Sequence, residues 1–438
     1  MKVLMFGWEF PPFISGGLGT ACYGVTKGLI NNGVEVTFVI PTRRGRENAD
    51  VRVLGADEVP LLRIEEIPFI KDSKLMKKRA KIIGISSKGP VSPYYTSKGS
   101  MRYMKFDASY AAKTRRVATR INSERGSILE FAGNYGGRLF EEVENYGAVA
   151  ESLAFLEDFD IIHAHDWITF PAGVRAKLIS GKPLVVHIHA TEFDRSGENM
   201  NPHVYNIEKY GMENADKIIA VSYYTKNIIT KRYGINPKKI EVIHNAINRE
   251  KQIQRYNIKK KNGEKTVLSL GRVTMQKGPD YFLEAANLVL KKIKNVRFVM
   301  AGSGDMLPKM ISRMAELKIA DKFHFTGFLK GMEVEKIYAM SDLYVMPSVS
   351  EPFGLTAFEA LLYDIPIIIS KQSGVSEVLR NAVMVDFWDV KKLAGTMIAL
   401  LENDKLARRV VEKCQEEIKN ISWNNAGNKI KKVYESLV

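Results

Sequence analysis

Glu351-Pro-Phe-Gly-Leu-Thr-Ala-Phe-Glu359 sets two carboxylates, separated by seven residues, around a glycine and a predicted helix start. The apolar run Leu343-Tyr344-Val345-Met346 before it reads as a buried strand, and Phe358 to Leu362 after it as helix. A helix start has unpaired backbone N–H groups and partial positive charge, so it favours phosphate. Glu351 precedes that start and Glu359 lies one turn inside it. Two acceptors flanking one anion site suit a ligand with hydroxyls on both sides of its phosphates. A sugar nucleotide has that layout. The competing reading is a charged loop with one exposed glutamate.

Other stretches with chemical potential also fall where a strand should end. Gly271-Arg-Val-Thr-Met-Gln-Lys277-Gly278 carries two cations, Arg272 and Lys277, able to neutralise a diphosphate leaving group. Ala301-Gly302-Ser-Gly-Asp305 and Thr326-Gly327-Phe328 could line a nucleobase slot through backbone groups, and tight turns are the alternative. Near the amino terminus, Ser15-Gly16-Gly17-Leu18-Gly19 separates a strand from a helix over 21–31. The dinucleotide fingerprint needs a third glycine where Cys22 stands, and its loop is shorter, so a dehydrogenase is disfavoured. His163-Ala-His165-Asp166-Trp167 and His187-Ile-His189 end two further strands. Alternation puts each histidine pair on one face, with one member expected to be packed and the other to meet a cleft. No metal site is expected. Asp158-Phe-Asp160 lies before a strand, at the wrong sheet end for a metal-binding D-x-D, and reads as a solvated turn.

The elements that must carry these motifs are short Val/Ile/Leu runs alternating with helical patterns. Strands are expected near 2–6, 35–40, 160–163, 184–188, 217–221 and 241–243. A second series runs near 266–270, 296–301, 322–326, 343–346, 365–369 and 383–385. Such runs predict two α/β units, each a doubly wound parallel sheet covered on both faces. Parallel sheets bind ligands beyond the carboxyl ends of their strands, where most of these motifs fall. The expected division is 1–247, with an irregular insertion at about 49–147, then 248–418, then a terminal helix within 419–438 capped by Ser422.

A chain of 438 residues exceeds one ordinary domain, and 45% hydrophobic content supports more than one core. No apolar run is long enough to span a bilayer, the first residues lack a secretion signal, and two distant cysteines imply no disulfide framework. A cytoplasmic protein without membrane association is expected. The net charge of +16 admits nucleic-acid binding, an anionic substrate or a lysine-rich surface suited to a thermophile. Because the lysines are scattered without interleaved aromatics, a solvated surface is the expectation and no nucleic-acid partner is.

Together, Glu9-Phe-Pro-Pro with Ser15-Gly-Gly-Leu, His165-Asp-Trp, Gly271-Arg with Lys277-Gly, and Glu351-Pro-Phe-Gly-Leu with Glu359 resemble the retaining glycosyltransferases of the GT-B fold. Glycogen and starch synthases, within glycosyltransferase group 1, are the nearest pattern. The resemblance implies two Rossmann-like domains facing a deep cleft, with the last helix crossing back onto the first. It implies that Arg272 and Lys277 bind the donor diphosphate, assisted by Gly354, Leu355, Thr356 and, from the opposite domain, Gly16 and Gly17. Glu359 would hold the ribose, Glu351 and His189 the donor sugar, and Gly302, Gly327, Phe328 and Phe353 the rest of the nucleotide. Glu9, His165 and Asp166 would face the donor sugar or the acceptor. Glucose would pass from ADP- or UDP-glucose to an α-1,4-glucan, without a metal or other cofactor. A small sugar, sugar phosphate or lipid-linked sugar is the alternative acceptor. The synthases carry a lysine two residues before the Gly-Gly pair; Ile14 stands here, leaving the nucleotide open.

Overall fold

The computed structural model describes residues 1–14, 16–45, 51–68, 114–120, 128–133, 135–247, 256 and 263–438. Most of the expected insertion, all of residues 248–262 but Tyr256, and Ser15 lie outside the described residues.

The first sheet contains β1 (Lys2–Phe6), β2 (Glu35–Ile40), β3 (Arg52–Gly55), β6 (Ile161–His165), β7 (Leu184–Ile188), β8 (Lys217–Ala220) and β9 (Ile240–Val242). They run parallel in the order β3-β2-β1-β6-β7-β8-β9. A separate antiparallel pair joins β4 (Leu62–Pro68) to β5 (Thr114–Arg120). The second sheet contains β10 (Lys265–Leu270), β11 (Val296–Ala301), β12 (Phe323–Gly327), β13 (Leu343–Met346), β14 (Ile367–Ser370) and β15 (Val383–Val385). Its parallel order is β12-β11-β10-β13-β14-β15. The central strands are apolar at nearly every position because helices cover both faces.

Those helices are α1 (Gly17–Asn31), α2 (Leu139–Leu156), α3 (Phe170–Ser180), α4 (Glu192–Ser196), α5 (Pro202–Asn214) and α6 (Tyr223–Tyr233) around the first sheet. Around the second are α7 (Pro279–Lys292), α8 (Leu307–Glu316), α9 (Met332–Ala339), α10 (Leu355–Leu362), α11 (Val390–Glu402) and α12 (Asp404–Glu417). None among the described residues is long and apolar enough to cross a membrane.

Two elements differ from the sequence reading. β3 is the edge strand of the main sheet, and α2 packs against α3 in its helix layer, so both ends of the expected insertion belong to the first core. Arg52-Val-Leu-Gly is too short, and too polar at its start, to announce a strand.

The last helix, α13 (Trp423–Glu435), starts at Ser422, whose hydroxyl accepts the Asn425 N–H. It crosses onto α1 through small residues. A Cβ on Gly28 would lie 2.0 Å from the Trp423 carbonyl oxygen, and one on Gly427 would lie 2.2 Å from the Gly28 carbonyl carbon. Glycine on both helices lets the backbones touch. Tyr434, on the buried face of α13, then reaches the Nδ1 of His163 on β6.

Candidate active site between the two sheets

In each sheet the strand order reverses beside its first strand, between β1 and β6 and between β10 and β13. A reversal sends neighbouring loops to opposite faces and opens a crevice at the carboxyl edge. Each crevice receives the motifs singled out above.

In the second sheet, the loop after β10 carries Arg272 and Lys277, and the loop after β13 carries Glu351 to Thr356. Lys277 Nζ donates to Glu351 Oε2 at 2.6 Å, and the Ser348 hydroxyl donates to the same oxygen at 3.0 Å. Glu351 is 6% exposed, so its charge is paired rather than solvated. Arg272 is exposed and donates to the side chain of Gln276 at 3.2 Å. Gln276 is buried, and its carbonyl accepts the Val349 N–H at 2.9 Å, tying the two loops together.

Gly354 caps α10 with a φ of 109°, which a side chain would strain. A Cβ there would also lie 3.0 Å from Met346 Cε. Leu355 and Thr356 form the first helical turn, and Glu359 lies one turn further on. Gly302 forms an antiparallel bridge with Gly327, N to O at 2.9 Å, and a Cβ on Gly302 would lie 1.8 Å from the Gly271 carbonyl oxygen. Phe328 follows at the surface, 51% exposed, with Lys330 Nζ 5.5 Å from its ring centroid. Phe353 corrects the sequence reading. Its side chain is 3% exposed and packs near Phe358 and His244, while its carbonyl accepts the Val375 N–H. It is a core residue, with only its backbone at the crevice edge.

In the first sheet, Gly16 caps α1 and Gly17 begins it, and a Cβ on either would meet nothing within 4 Å. Glycine there leaves the helix start open to the crevice. A Cβ on Gly19 would lie 3.2 Å from Glu9 Oε2, which places that carboxylate beside the first turn of α1. Glu9 is buried and hydrogen-bonds the half-exposed phenol of Tyr135.

Asp166 adopts a φ of 57°, a left-handed conformation unusual outside glycine. That turn lets Oδ1 accept the His189 N–H at 2.7 Å. Burial pushes the Asp166 pKa up to about 6. His165 Nδ1 is 2.9 Å from His189 Nε2. The imidazoles of residues 163, 165, 187 and 189 form one stack, with centroids 4.4 Å apart for His163 and His165 and 4.3 Å for His187 and His189. Each pair shares a face, but three rings are buried and only His189 is partly exposed. Burial holds His163 and His189 neutral, with pKa values lowered to about 3.

Residues that sequence reasoning did not single out join the halves. The Ser350 hydroxyl donates to Asp194 Oδ1 at 2.5 Å and pairs with the Tyr224 hydroxyl at 2.9 Å. The Ser222 hydroxyl donates to the Pro352 carbonyl at 2.7 Å. The Glu377 carboxylate accepts the backbone N–H groups of Tyr223 and Tyr224, capping α6 from the other sheet's unit, and pairs with His244 at 2.7 Å. Glu351 and His189 are thereby placed on two sides of one joined cleft, each a few residues from a cross-link. Tyr135 had a signal, its place among Gly133, Gly136 and Gly137; Asp194 and Ser350 had none.

The family described as glycosyl transferases group 1 matches residues 249–417, and that described as glycosyltransferase family 4 matches residues 129–251. An uncharacterized glycosyltransferase of Methanocaldococcus jannaschii is 27% identical over 99% of this chain and 98% of its own. Glycogen synthase of Mycobacterium tuberculosis is 25% identical over 63% of this chain and 68% of its own. D-inositol 3-phosphate glycosyltransferase of a Nocardioides species is 24% identical over 65% and 69%. Among solved structures, sucrose-phosphate synthase of Thermosynechococcus elongatus shares the fold with a TM-score of 0.69 at 17% identity, covering 100% of this chain and 98% of its own. The chain has the two-domain GT-B fold, and its second unit is similar to the group 1 glycosyltransferases over residues 249–417.

Proposed function

We propose that this enzyme transfers glucose from ADP- or UDP-glucose to the non-reducing end of an α-1,4-glucan, with retention at the anomeric carbon. The observation that carries this reading is the Lys277–Glu351 pair at the reversal point of the second sheet, beside the start of α10. A diphosphate seated there would draw Lys277 from Glu351 and release that carboxylate toward the sugar hydroxyls. As the bond from anomeric carbon to phosphate oxygen breaks, negative charge builds on the diphosphate. Lys277, Arg272 and the N–H groups of Leu355 and Thr356 stabilise it. The departing phosphate accepts the proton of the attacking hydroxyl on the same face, so no protein nucleophile is required. Glu9, His165, Asp166 and His189 border the sugar and acceptor from the other side, and closing the cleft excludes water. The chemistry requires no metal.

A second acceptor class has its own support. Arg44 lies over the exposed Phe13 ring, 5.0 Å from its centroid, at the rim of a small pocket that also contains Glu9 and Trp8. A cation beside an aromatic face favours a phosphate-bearing sugar acceptor. The deciding experiment incubates the enzyme with ADP- or UDP-glucose and either maltooligosaccharides or a sugar phosphate, with products read by mass. Extension of the maltooligosaccharide supports the glucan reading. Product on the sugar phosphate alone replaces it, and failure to cleave either donor overturns both.

A further inference from the structure

Tyr338 lies near the end of α9, only 1% exposed. Its hydroxyl is 2.9 Å from Glu359 Oε2 and 3.2 Å from the Thr356 carbonyl oxygen. Its ring stacks on Tyr363, with centroids 5.5 Å apart and planes at 17°. A second buried phenol, Tyr344 on β13, donates to Thr356 Oγ1 at 2.7 Å. Two tyrosines from separate elements therefore grip the first turns of α10, and only Tyr338 reaches Glu359.

We propose that Tyr338 is a positioning residue that sets the Glu359 carboxylate for the adjacent hydroxyls of a ribose, so that the site selects ribonucleotide donors over 2′-deoxyribonucleotide ones. The proposal rests on the reading of Glu359 as the ribose-binding residue.

A phenol has one proton to donate, and a carboxylate is the stronger acceptor, so the hydrogen bond to Glu359 is favoured over that to the carbonyl. Burial, with the neighbouring carboxylate, raises the Tyr338 pKa well above its ordinary value and keeps the donor protonated. A glutamate at a helix surface otherwise samples many rotamers, and a ligand that needed one of them would lose affinity in ordering it. Here the ordering is already done in the fold, by a ring that stacking and burial hold in place. The spacing also fits. Glu359 is four residues beyond Leu355, about 6 Å along the helix axis, which separates a phosphate at the helix start from a ribose one turn away. A second ribose hydroxyl is worth having only if the carboxylate meets it at the correct angle, and the phenol fixes that angle.

The test measures binding of UDP, ADP and GDP to the full-length protein by calorimetry, with the 2′-deoxy form of whichever binds tightest. Wild-type enzyme is expected to bind the ribonucleotide at least about tenfold more tightly than its 2′-deoxy analogue. Tyr338→Phe keeps the ring and its stack. Its ribonucleotide affinity is expected to fall about five- to tenfold while 2′-deoxy affinity stays within about twofold, so discrimination collapses. Tyr344→Phe, which touches Thr356 but not Glu359, is expected to retain discrimination. Glu359→Gln reports on the underlying reading. If it discriminates as well as wild type, Glu359 does not read the ribose and that assignment falls. If Glu359→Gln loses discrimination and Tyr338→Phe keeps it, the ribose assignment stands and the positioning role is wrong. Uniform weakening of both nucleotides in Tyr338→Phe, or wild-type binding to none of the three, also overturns the proposal.

Discussion

The Ser350 hydroxyl and Asp194 Oδ1 lie 2.5 Å apart across the junction of the two sheet units. Ser350 immediately precedes Glu351, and Asp194 follows His189 by five residues, so this one bond joins the donor-side loop to the loop that carries the cleft histidine. Asp194 is fully buried, and its other oxygen accepts from the N–H and hydroxyl of Thr191, both at 2.7 Å.

Ser350→Ala removes the hydroxyl that donates to Asp194 Oδ1 and leaves a buried carboxylate oxygen short of a partner. The expected cost is about 1–3 kcal/mol of stability, read by denaturant unfolding. Turnover is expected to fall more than donor affinity does, and the fraction of donor lost to water to rise, because the residues on the two sides of the cleft lose their common register. An unchanged ratio of hydrolysis to transfer would remove this bond from the account of closure.

Lys277→Ala removes the cation that pairs with Glu351 and, in the proposed mechanism, the charge on the leaving phosphate. Turnover is expected to fall at least tenfold, about 1.4 kcal/mol of barrier. A rise in donor KM with unchanged kcat would instead place Lys277 in uniform binding rather than in transition-state stabilisation. The partner variant Glu351→Gln keeps an acceptor oxygen for Lys277 but removes the negative charge that its ammonium pairs with. Its donor affinity is therefore expected to fall less than its turnover.

The sites at strand ends were legible because parallel strands buried on both faces read as continuous apolar runs, and such sheets bring their carboxyl-end loops together. Leu343 to Met346, followed by Glu351 and a helix, could be placed from sequence for that reason. Phe353 could not. Its motif suggested a place at the nucleotide, but only the three-dimensional neighbours Phe358 and His244 reveal that its ring fills a core. The histidines show the same boundary. A period of two put each pair on one face, while His163 meets Tyr434 of α13 and His165 lies beside Cys22 of α1, helices from opposite ends of the chain. Tyr338 and Ser350 meet side chains that lie far from them in sequence, and no periodicity announces those contacts.

The contact between α1 and α13 leaves no space for a side chain. Gly28→Ala would put a methyl 2.0 Å from the Trp423 carbonyl oxygen, a backbone atom that cannot rotate away. The helices must separate, at an expected cost of about 1–3 kcal/mol from overpacking, measured as a lowered thermal midpoint. Trp423→Ala is not expected to rescue Gly28→Ala, because the clash is with backbone. At Gly24 the nearest atoms belong to the Trp423 ring, at 2.1 Å, so Trp423→Ala is expected to rescue Gly24→Ala in part. Rescue of both glycine variants, or of neither, would contradict this packing.

His187 is 1% exposed, and neither of its ring nitrogens has a hydrogen-bond partner among the described residues. Burial, with the nearby rings of His189 and His163, holds its pKa well below the usual 6.5. The fold therefore refuses a proton that the unfolded chain accepts once pH falls below about 6.5. The stabilising contribution of neutral His187 is complete above that pH and is lost progressively on acidification, by about 2 kcal/mol at pH 5. His187→Leu removes this linkage along with two unpaired nitrogens. Its stability is expected to match or exceed wild type at pH 7.5, and its advantage to grow as pH falls toward 5. Asp166, with a pKa raised to about 6, works in the opposite sense over part of this range, but it is present in both proteins and its effect cancels in the difference. Denaturant unfolding of the two proteins between pH 7.5 and 5 measures that difference directly. Parallel curves would mean that His187 takes up no proton on unfolding, and the neutral stack would lose its role in acid sensitivity.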